Sequence, residues 1–322
     1  MDLSRSRRIQ ARYVRGQVVV RRLRRRWWEG VACGGYAVTT HQTRTLTWDL
    51  FVAPAVPIVS DDLPPGQNQR IWSPISATLI SGERDAVLVD PLMTVEQGRA
   101  LADWVAATGK NLTTVYVTHG HGDHWFGLGI IRERFPNVRA VARPEVVDYM
   151  RQQAAPETFT RFWESRFPGL IPQGVAVAEP LDHSSFELEG HELVAIDVGH
   201  TDTDNTTVLH APEIGLVVAG DVAYNDVHLY LAESDRAKRQ EWIKALDTIE
   251  SLHPDAVIAG HKRAGRADDP RIIDETRQYI RDFDRIAEST TTARELYDQV
   301  LAVYPDRINR GALWGSARAL KG

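Results

Sequence analysis

Short apolar runs separated by turn residues dominate the middle of this chain, and their lengths predict strands rather than membrane spans or long helices. Leu46–Val52 and Ile71–Ile80, rich in β-branched and aromatic residues, read as the first strands, and Pro54, Pro57, Pro64, Pro65 and Gly66 mark a loop between them. Thr94–Thr108, with Val95, Leu101, Trp104 and Val105 at helical spacing, reads as an amphipathic helix between a buried strand at Ala86–Val89 and another over Leu112–Thr118. A strand, helix, strand unit of this kind predicts parallel strands joined by a right-handed crossover. A helix over 125–134, a strand at Ala140–Ala142 and helical material to Phe167 follow. The closely spaced strands at 175–178, 185–189, 191–198, 205–210 and 214–219 predict an antiparallel meander. A helix over 235–252, a strand at Ala256–Ala259 and helices over 270–288 and 291–303 complete the pattern. It predicts an α/β fold in which two mixed sheets pack face to face with helices outside both, an αββα sandwich over 46–270, with the helices of 271–322 packed on it.

Charge changes this picture at one end only. Residues 1–28 hold ten arginines against the single acid Asp2, so 1–45 reads as an arginine-rich, disordered extension, while the remainder of the chain is net negative. An acidic body excludes nucleic acid as an expected partner. No apolar run approaches the roughly 20 residues a membrane span requires, and none near the start resembles a secretory leader, so a cytoplasmic protein with no membrane partner is expected. Homodimerisation is left open. The single cysteine, Cys33, excludes an intrachain disulfide framework and lies far from the histidines, so any metal site must use histidine and carboxylate.

Candidate chemistry concentrates where apolar strands end. Val115-Tyr116-Val117-Thr118 runs directly into His119-Gly120-His121-Gly122-Asp123-His124, placing three of the eleven histidines and an aspartate within six residues. The two glycines permit tight turns between side chains that must converge on one point. Three other strands end similarly on a glycine and a polar residue: Gly199-His200, Gly220-Asp221 and Gly260-His261. Each is weak singly, but with the first cluster they make a coordination set. Asp90, at the end of the Ala86–Val89 strand, can either accept a hydrogen bond from a ligand imidazole or cap the following helix. Thr118 and Thr201 are candidates to brace the loops.

Through His119-x-His121-x-Asp123-His124, Gly199-His200-Thr201, Gly220-Asp221 and Gly260-His261, the sequence resembles the metallo-β-lactamase superfamily, in its lactonase and glyoxalase II-like branches, over about residues 46–270. The resemblance implies that His119, His121 and His200 hold one metal, that Asp123, His124 and His261 hold a second, and that Asp221 bridges them. Imidazole and carboxylate donors suit two Zn²⁺ per chain, with Fe or Mn as alternatives. The implied activity is a binuclear metal-dependent hydrolase in which hydroxide derived from a shared water attacks a small ester, lactone or amide carbonyl, with Asp123 as the acid/base group.

The substrate is a small molecule whose identity the residues narrow less well. Tyr224, three residues after Asp221, is similar to the acyl-homoserine lactone hydrolases, where a tyrosine at that place meets the substrate oxygen. Lactonases and glyoxalase II commonly continue Gly-His-Thr with Pro-Gly, whereas this chain reads His200-Thr201-Asp202-Thr203-Asp204. A glyoxalase II-like thioesterase and an iron-dependent redox enzyme on the same fold are the alternatives. His228 is a candidate lining residue, Trp125, Phe126, Phe162 and Trp163 are candidate apolar walls, and Lys262 and Arg263 read as solvated charges, with pairing to a substrate carboxylate or phosphate as the alternative.

Overall fold

The computed structural model describes residues 46–322, together with the pairing of a short ribbon formed by β1 (Tyr13–Val14) and β2 (Gln17–Val18). The expectation for the rest of 1–45 lies outside the described residues.

One sheet of six strands runs in the order β10 (Glu179–Pro180), β9 (Arg139–Ala142), β8 (Asn111–Tyr116), β7 (Asp85–Val89), β6 (Ile75–Ser81) and β3 (Thr47–Ala53). β7, β8, β9 and β10 are mutually parallel, and β6 and β3 add antiparallel strands at the edge. α1 (Val95–Ala107) makes the crossover between β7 and β8. It begins with a reciprocal cap in which the Thr94 side chain accepts from Gln97 N–H and the Gln97 side chain accepts from Thr94 N–H. The second sheet has the order β11 (Ser185–Leu188), β12 (His191–Gly199), β13 (Thr206–Ala211), β14 (Leu216–Asn225) and β15 (Ala256–Lys262). It is an antiparallel meander until β15, which returns parallel to β14 through α5 (Arg236–Ser251).

Three apolar clusters explain the layering. Leu50, Ile80, Val87, Val89, Tyr116 and Val141 of the first sheet meet Leu193, Ala195, Leu209, Leu216, Val218 and Ile258 of the second. The opposite face of the first sheet packs on α1, α2 (Leu128–Arg134) and α3 (Pro144–Ala154). The opposite face of the second packs on α5, α6 (Arg271–Ser289), α7 (Ala293–Val303) and α8 (Arg310–Lys321). Strands buried on both faces read as continuous apolar runs, which is why the central ones were plain in the sequence.

The differences from expectation are local. The single run Ile71–Ile80 is two strands, β5 (Arg70–Trp72) and β6, separated at Ser73-Pro74. The proline-rich loop carries a short strand, β4 (Val56–Ile58), paired only with β5, so Pro57 sits where no ladder partner is needed on its other side. Residues 175–178 form no strand, and the neighbouring Glu179–Pro180 joins the first sheet, parallel to β9, rather than the meander. After α3, the short helix α4 (Pro156–Thr158) leads into a π-helical stretch over Phe159–Glu164. α8 falls within the stretch 271–322 expected to be helical, although Gly311 and Gly315 weaken the helical signal of its sequence.

Candidate metal centre

The site lies on the edge of the sandwich where β7, β8, β12, β14 and β15 present their turns. Asp90, directly after β7, adopts a left-handed backbone with φ of 59°. It is held there by its own hydrogen bonds: Oδ1 accepts from Thr118 N–H at 2.9 Å, and Oδ2 accepts from Thr118 Oγ1 at 2.8 Å and from His124 Nδ1 at 3.2 Å. Asp90 therefore positions an imidazole, and the cap of α1 is Thr94.

Four imidazoles share one arrangement, with one ring nitrogen fixed from outside and the other directed inward. His119 Nδ1 meets Thr118 Oγ1 at 3.0 Å, and His121 Nε2 meets Glu233 Oε1 at 3.1 Å. His124 Nδ1 meets Asp90, while His261 Nδ1 meets Ser73 Oγ and the Pro74 carbonyl, both at 2.9 Å. Inward, His124 Nε2 lies 3.3 Å from Asp221 Oδ1, and His261 Nε2 lies 3.2 Å from Asp221 Oδ2 and 3.4 Å from Asp123 Oδ2. The His119 and His124 rings are 4.2 Å apart, centroid to centroid. His119 Nε2, His124 Nε2, Asp202 Oδ2 and Asp221 Oδ1 are all buried without a hydrogen-bond partner. Buried polar atoms are ordinarily paired, so two facing pairs of such atoms, His119 Nε2 with Asp202 Oδ2 at 3.7 Å and His124 Nε2 with Asp221 Oδ1 at 3.3 Å, fit the donor set of bound cations.

The charges agree with that reading. Burial works against the carboxylate forms of Asp123 and Asp221, yet His124 and His261 outweigh it and hold both below the usual range. Burial equally opposes charge on His124 and His261, but Asp221 and Asp123 push both upward, His261 to about 10. Burial and the neighbouring His124 move His119 the other way, below its ordinary range.

Glycine permits this crowding. Gly260 lies against Asp221, where a Cβ would fall 2.2 Å from Asp221 Oδ1, and a Cβ on Gly122 would fall 2.3 Å from Phe126 Cζ.

His119, His121, Asp123, His124, Asp221 and His261 are brought together; His200 is not. His200 Nδ1 binds Asp204 Oδ1 at 2.6 Å, and its Nε2 meets Ser234 Oγ at 2.8 Å. The side chain that joins His119 and His121 is Asp202. Sequence reasoning also passed over Trp72, whose Nε1 donates to Asp123 Oδ2 at 2.8 Å, as well as Ser73 and Glu233. Nothing in their local sequence marks them, because each reaches the site from a distant element.

A cavity of about 190 Å³ opens onto Asp123, Asp202, Asp221 and His261. Its walls are largely apolar, with Trp72, Phe162, Trp163, Tyr230 and Ala312 among them. Trp125 and Phe126 lie beneath the histidine loop instead, Trp125 donating to the Gly120 carbonyl at 2.9 Å. Tyr224 lines the cavity, and its hydroxyl donates to Asp221 Oδ2 at 2.6 Å. Lys262 is not solvated but buried in an ion pair with Asp268, and Arg263 pairs with Asp226.

His228 is buried away from this cavity, with Nδ1 3.0 Å from the Tyr279 hydroxyl. Burial, reinforced by Arg307 and Arg310, depresses it to about 3. Its neutral form contributes stability that is complete above the ordinary histidine pKa of about 6.5 and is lost as pH falls from there toward 3. Between pH 7.5 and pH 5, urea unfolding of the native chain should therefore lose about 2 kcal/mol more than unfolding of His228→Gln. Equal losses in the two proteins would contradict this assignment.

An αββα sandwich with a histidine and aspartate cluster on one edge defines a class of metal-dependent proteins. Residues 70–261 match the family model of the metallo-beta-lactamase superfamily, and the chain belongs to that superfamily. It is 23% identical over 227 residues to a protein of Bacillus subtilis (strain 168), the uncharacterized protein YobT, covering 64% of this chain and 94% of that protein. Among solved structures, a metallo-beta-lactamase family protein from Thermus thermophilus aligns with a TM-score of 0.58 at 20% identity, covering 84% of this chain and 91% of the other. A metallo-beta-lactamase from Pontibacter korlensis aligns with a TM-score of 0.53 at 15% identity, covering 73% and 95%. At these identities the structures establish the fold. Superfamily membership and the cluster together support a metal-dependent hydrolase. Among the described residues, no helix is long and apolar enough to cross a membrane.

Proposed function

We propose that the chain is a binuclear hydrolase acting on a small, largely apolar ester or lactone, with Zn²⁺ as the preferred ion and Fe or Mn as alternatives. The observation that carries the binuclear reading is the shared arrangement of His119, His121, His124 and His261, each anchored from outside with its other nitrogen directed at a common set of carboxylates. Bound divalent ions would supply Lewis-acid activation of a water and of the scissile carbonyl.

The protein's own groups suit the remaining tasks. Asp123 lines the cavity and is fixed by Trp72, so it is placed to take a proton from the attacking water and return it to the leaving group. Tyr224 lines the cavity, and redirecting its hydroxyl hydrogen from Asp221 to the substrate oxygen would stabilise the negative charge that develops there. The apolar walls favour an acyl or lactone body over a highly charged one. A glutathione thioester fits less well: among the described residues, Arg70 is the one arginine or lysine lining the cavity, and it is already engaged by Asp62 at 3.2 Å and by the Gly311 carbonyl at 3.0 Å.

Metal content of the purified protein, coupled to hydrolysis assays over lactones, aryl esters, thioesters, β-lactams and phosphodiesters, tests the reading. The expected result is about two ions per chain and metal-dependent turnover of lactones or esters. About one iron per chain with no hydrolysis of any class would refute it. Tyr224→Phe should lower kcat about 100-fold with metal content unchanged. A change under threefold would remove Tyr224 from the chemistry.

A further inference from the structure

We infer that Asp202, and not His200, completes the first metal site beside His119 and His121. The inference rests on the binuclear reading above and concerns which side chain of the β12–β13 turn belongs to it.

Both ring nitrogens of His200 are engaged outside the cluster. Its Nδ1 faces the Asp204 carboxylate at 2.6 Å, and its Nε2 faces Ser234 Oγ at 2.8 Å. Ser234 Oγ is itself fixed 3.0 Å from the Thr201 carbonyl, and Asp204 is shared with Lys238 at 3.0 Å. His200 therefore ties the turn to the start of α5 and is absent from the cavity lining.

Asp202 shows the opposite pattern. It is 1% exposed, lines the cavity, and has Oδ1 held by the Thr201 hydroxyl at 2.9 Å. Its Oδ2 forms an ion pair with His121 Nδ1 at 2.6 Å and lies 3.7 Å from His119 Nε2. The Nε2 of His119 facing it is buried without a hydrogen-bond partner, which is costly. A cation bound by His119 Nε2, His121 Nδ1 and Asp202 Oδ2 satisfies all three atoms at once. The backbone makes the exchange of residues possible: β12 bulges between Asp197 and Gly199, and Gly199 takes φ of 82°, which turns the chain so that the residue two beyond His200 faces the site. A carboxylate in this position adds negative charge and a hard oxygen donor, which shifts ion preference toward Mn²⁺ and Fe²⁺ compared with an all-imidazole site.

The test compares the full chain with Asp202→Ala, Asp202→His and His200→Gln, each checked for folding by circular dichroism and loaded in turn with Zn²⁺ and Co²⁺. Stoichiometry is read by elemental analysis, and affinity by competition with a chromophoric chelator. Asp202→Ala should retain about one ion, with the affinity for the lost one reduced at least about 100-fold, beyond the usual cost of removing an outer partner. His200→Gln should keep about two ions with affinity within about threefold of the parent. In the Co²⁺ forms, the hyperfine-shifted exchangeable imidazole N–H resonances should number about four in the parent and in His200→Gln, and about five in Asp202→His, where an imidazole is restored as donor and both ions are retained. Should Asp202→Ala not fold, Asp202→His and His200→Gln decide the matter through the same resonances. Loss of an ion in His200→Gln together with two retained ions in Asp202→Ala would overturn the assignment while leaving a binuclear centre intact. A parent protein that binds neither ion would overturn the binuclear reading, and the assignment with it.

Discussion

Asp221→Ala should lower kcat/KM for the best substrate by roughly 1000-fold or more, about 4 kcal/mol of transition-state stabilisation, and should reduce bound metal from about two ions to one or fewer. Three groups converge on this carboxylate: His124 Nε2 at 3.3 Å, His261 Nε2 at 3.2 Å and the Tyr224 hydroxyl at 2.6 Å. Removing it takes away a carboxylate shared by two imidazoles and leaves the phenol unanchored. Asp221→Asn separates charge from shape, because an amide oxygen still accepts from Tyr224. A loss as large as that of alanine assigns the effect to charge. Retention of two ions and activity within tenfold of the parent in Asp221→Ala would contradict the proposal that Asp221 bridges the two ions.

The second large effect is expected from a residue with no functional group. In Gly260→Ala the added methyl would sit 2.2 Å from Asp221 Oδ1 and 2.9 Å from both His124 Cε1 and the Gly220 backbone carbon. Neither neighbour can yield freely. Asp221 is held by Tyr224, and His124 is held by Asp90. The variant should lose about 1–3 kcal/mol of stability from overpacking, and its metal affinity should fall by about 100-fold or more. Gly129→Ala, on α2 where a Cβ meets nothing within 4 Å, is the matched control and should be neutral or slightly stabilising. Denaturant unfolding and chelator competition on the two variants measure both effects. Equal behaviour would show that the centre accommodates the methyl.

Most of the sandwich could be read from the sequence because buried strands and amphipathic helices leave patterns within a few residues. His119, His121, Asp123, Asp221 and His261 were legible for the same reason, each standing at or beside the end of an apolar strand with a glycine next to it, and His124 directly follows them in the first cluster. The turn after β12 was not. His200, Asp202 and Asp204 are all plausible donors within five residues, and the choice among them depends on how a bulge at Gly199 aims the chain, which periodicity does not encode. Trp72, Ser73 and Glu233 were invisible because they act across long sequence separations. Lys262 was misread as solvated because its partner, Asp268, lies across a turn that local composition does not define.

The cavity wall formed by Asn309, Gly311 and Ala312 lies outside the stretch 70–261 that matches the superfamily. It is pinned in place by Arg70, which reaches the Gly311 carbonyl, and by Trp314, which donates to Asp62 at 2.7 Å. The histidine cluster and this part of the cavity wall thus come from separate stretches of the chain. Substitutions at Asn309 or Ala312 would reshape the cavity while leaving the residues of the cluster untouched.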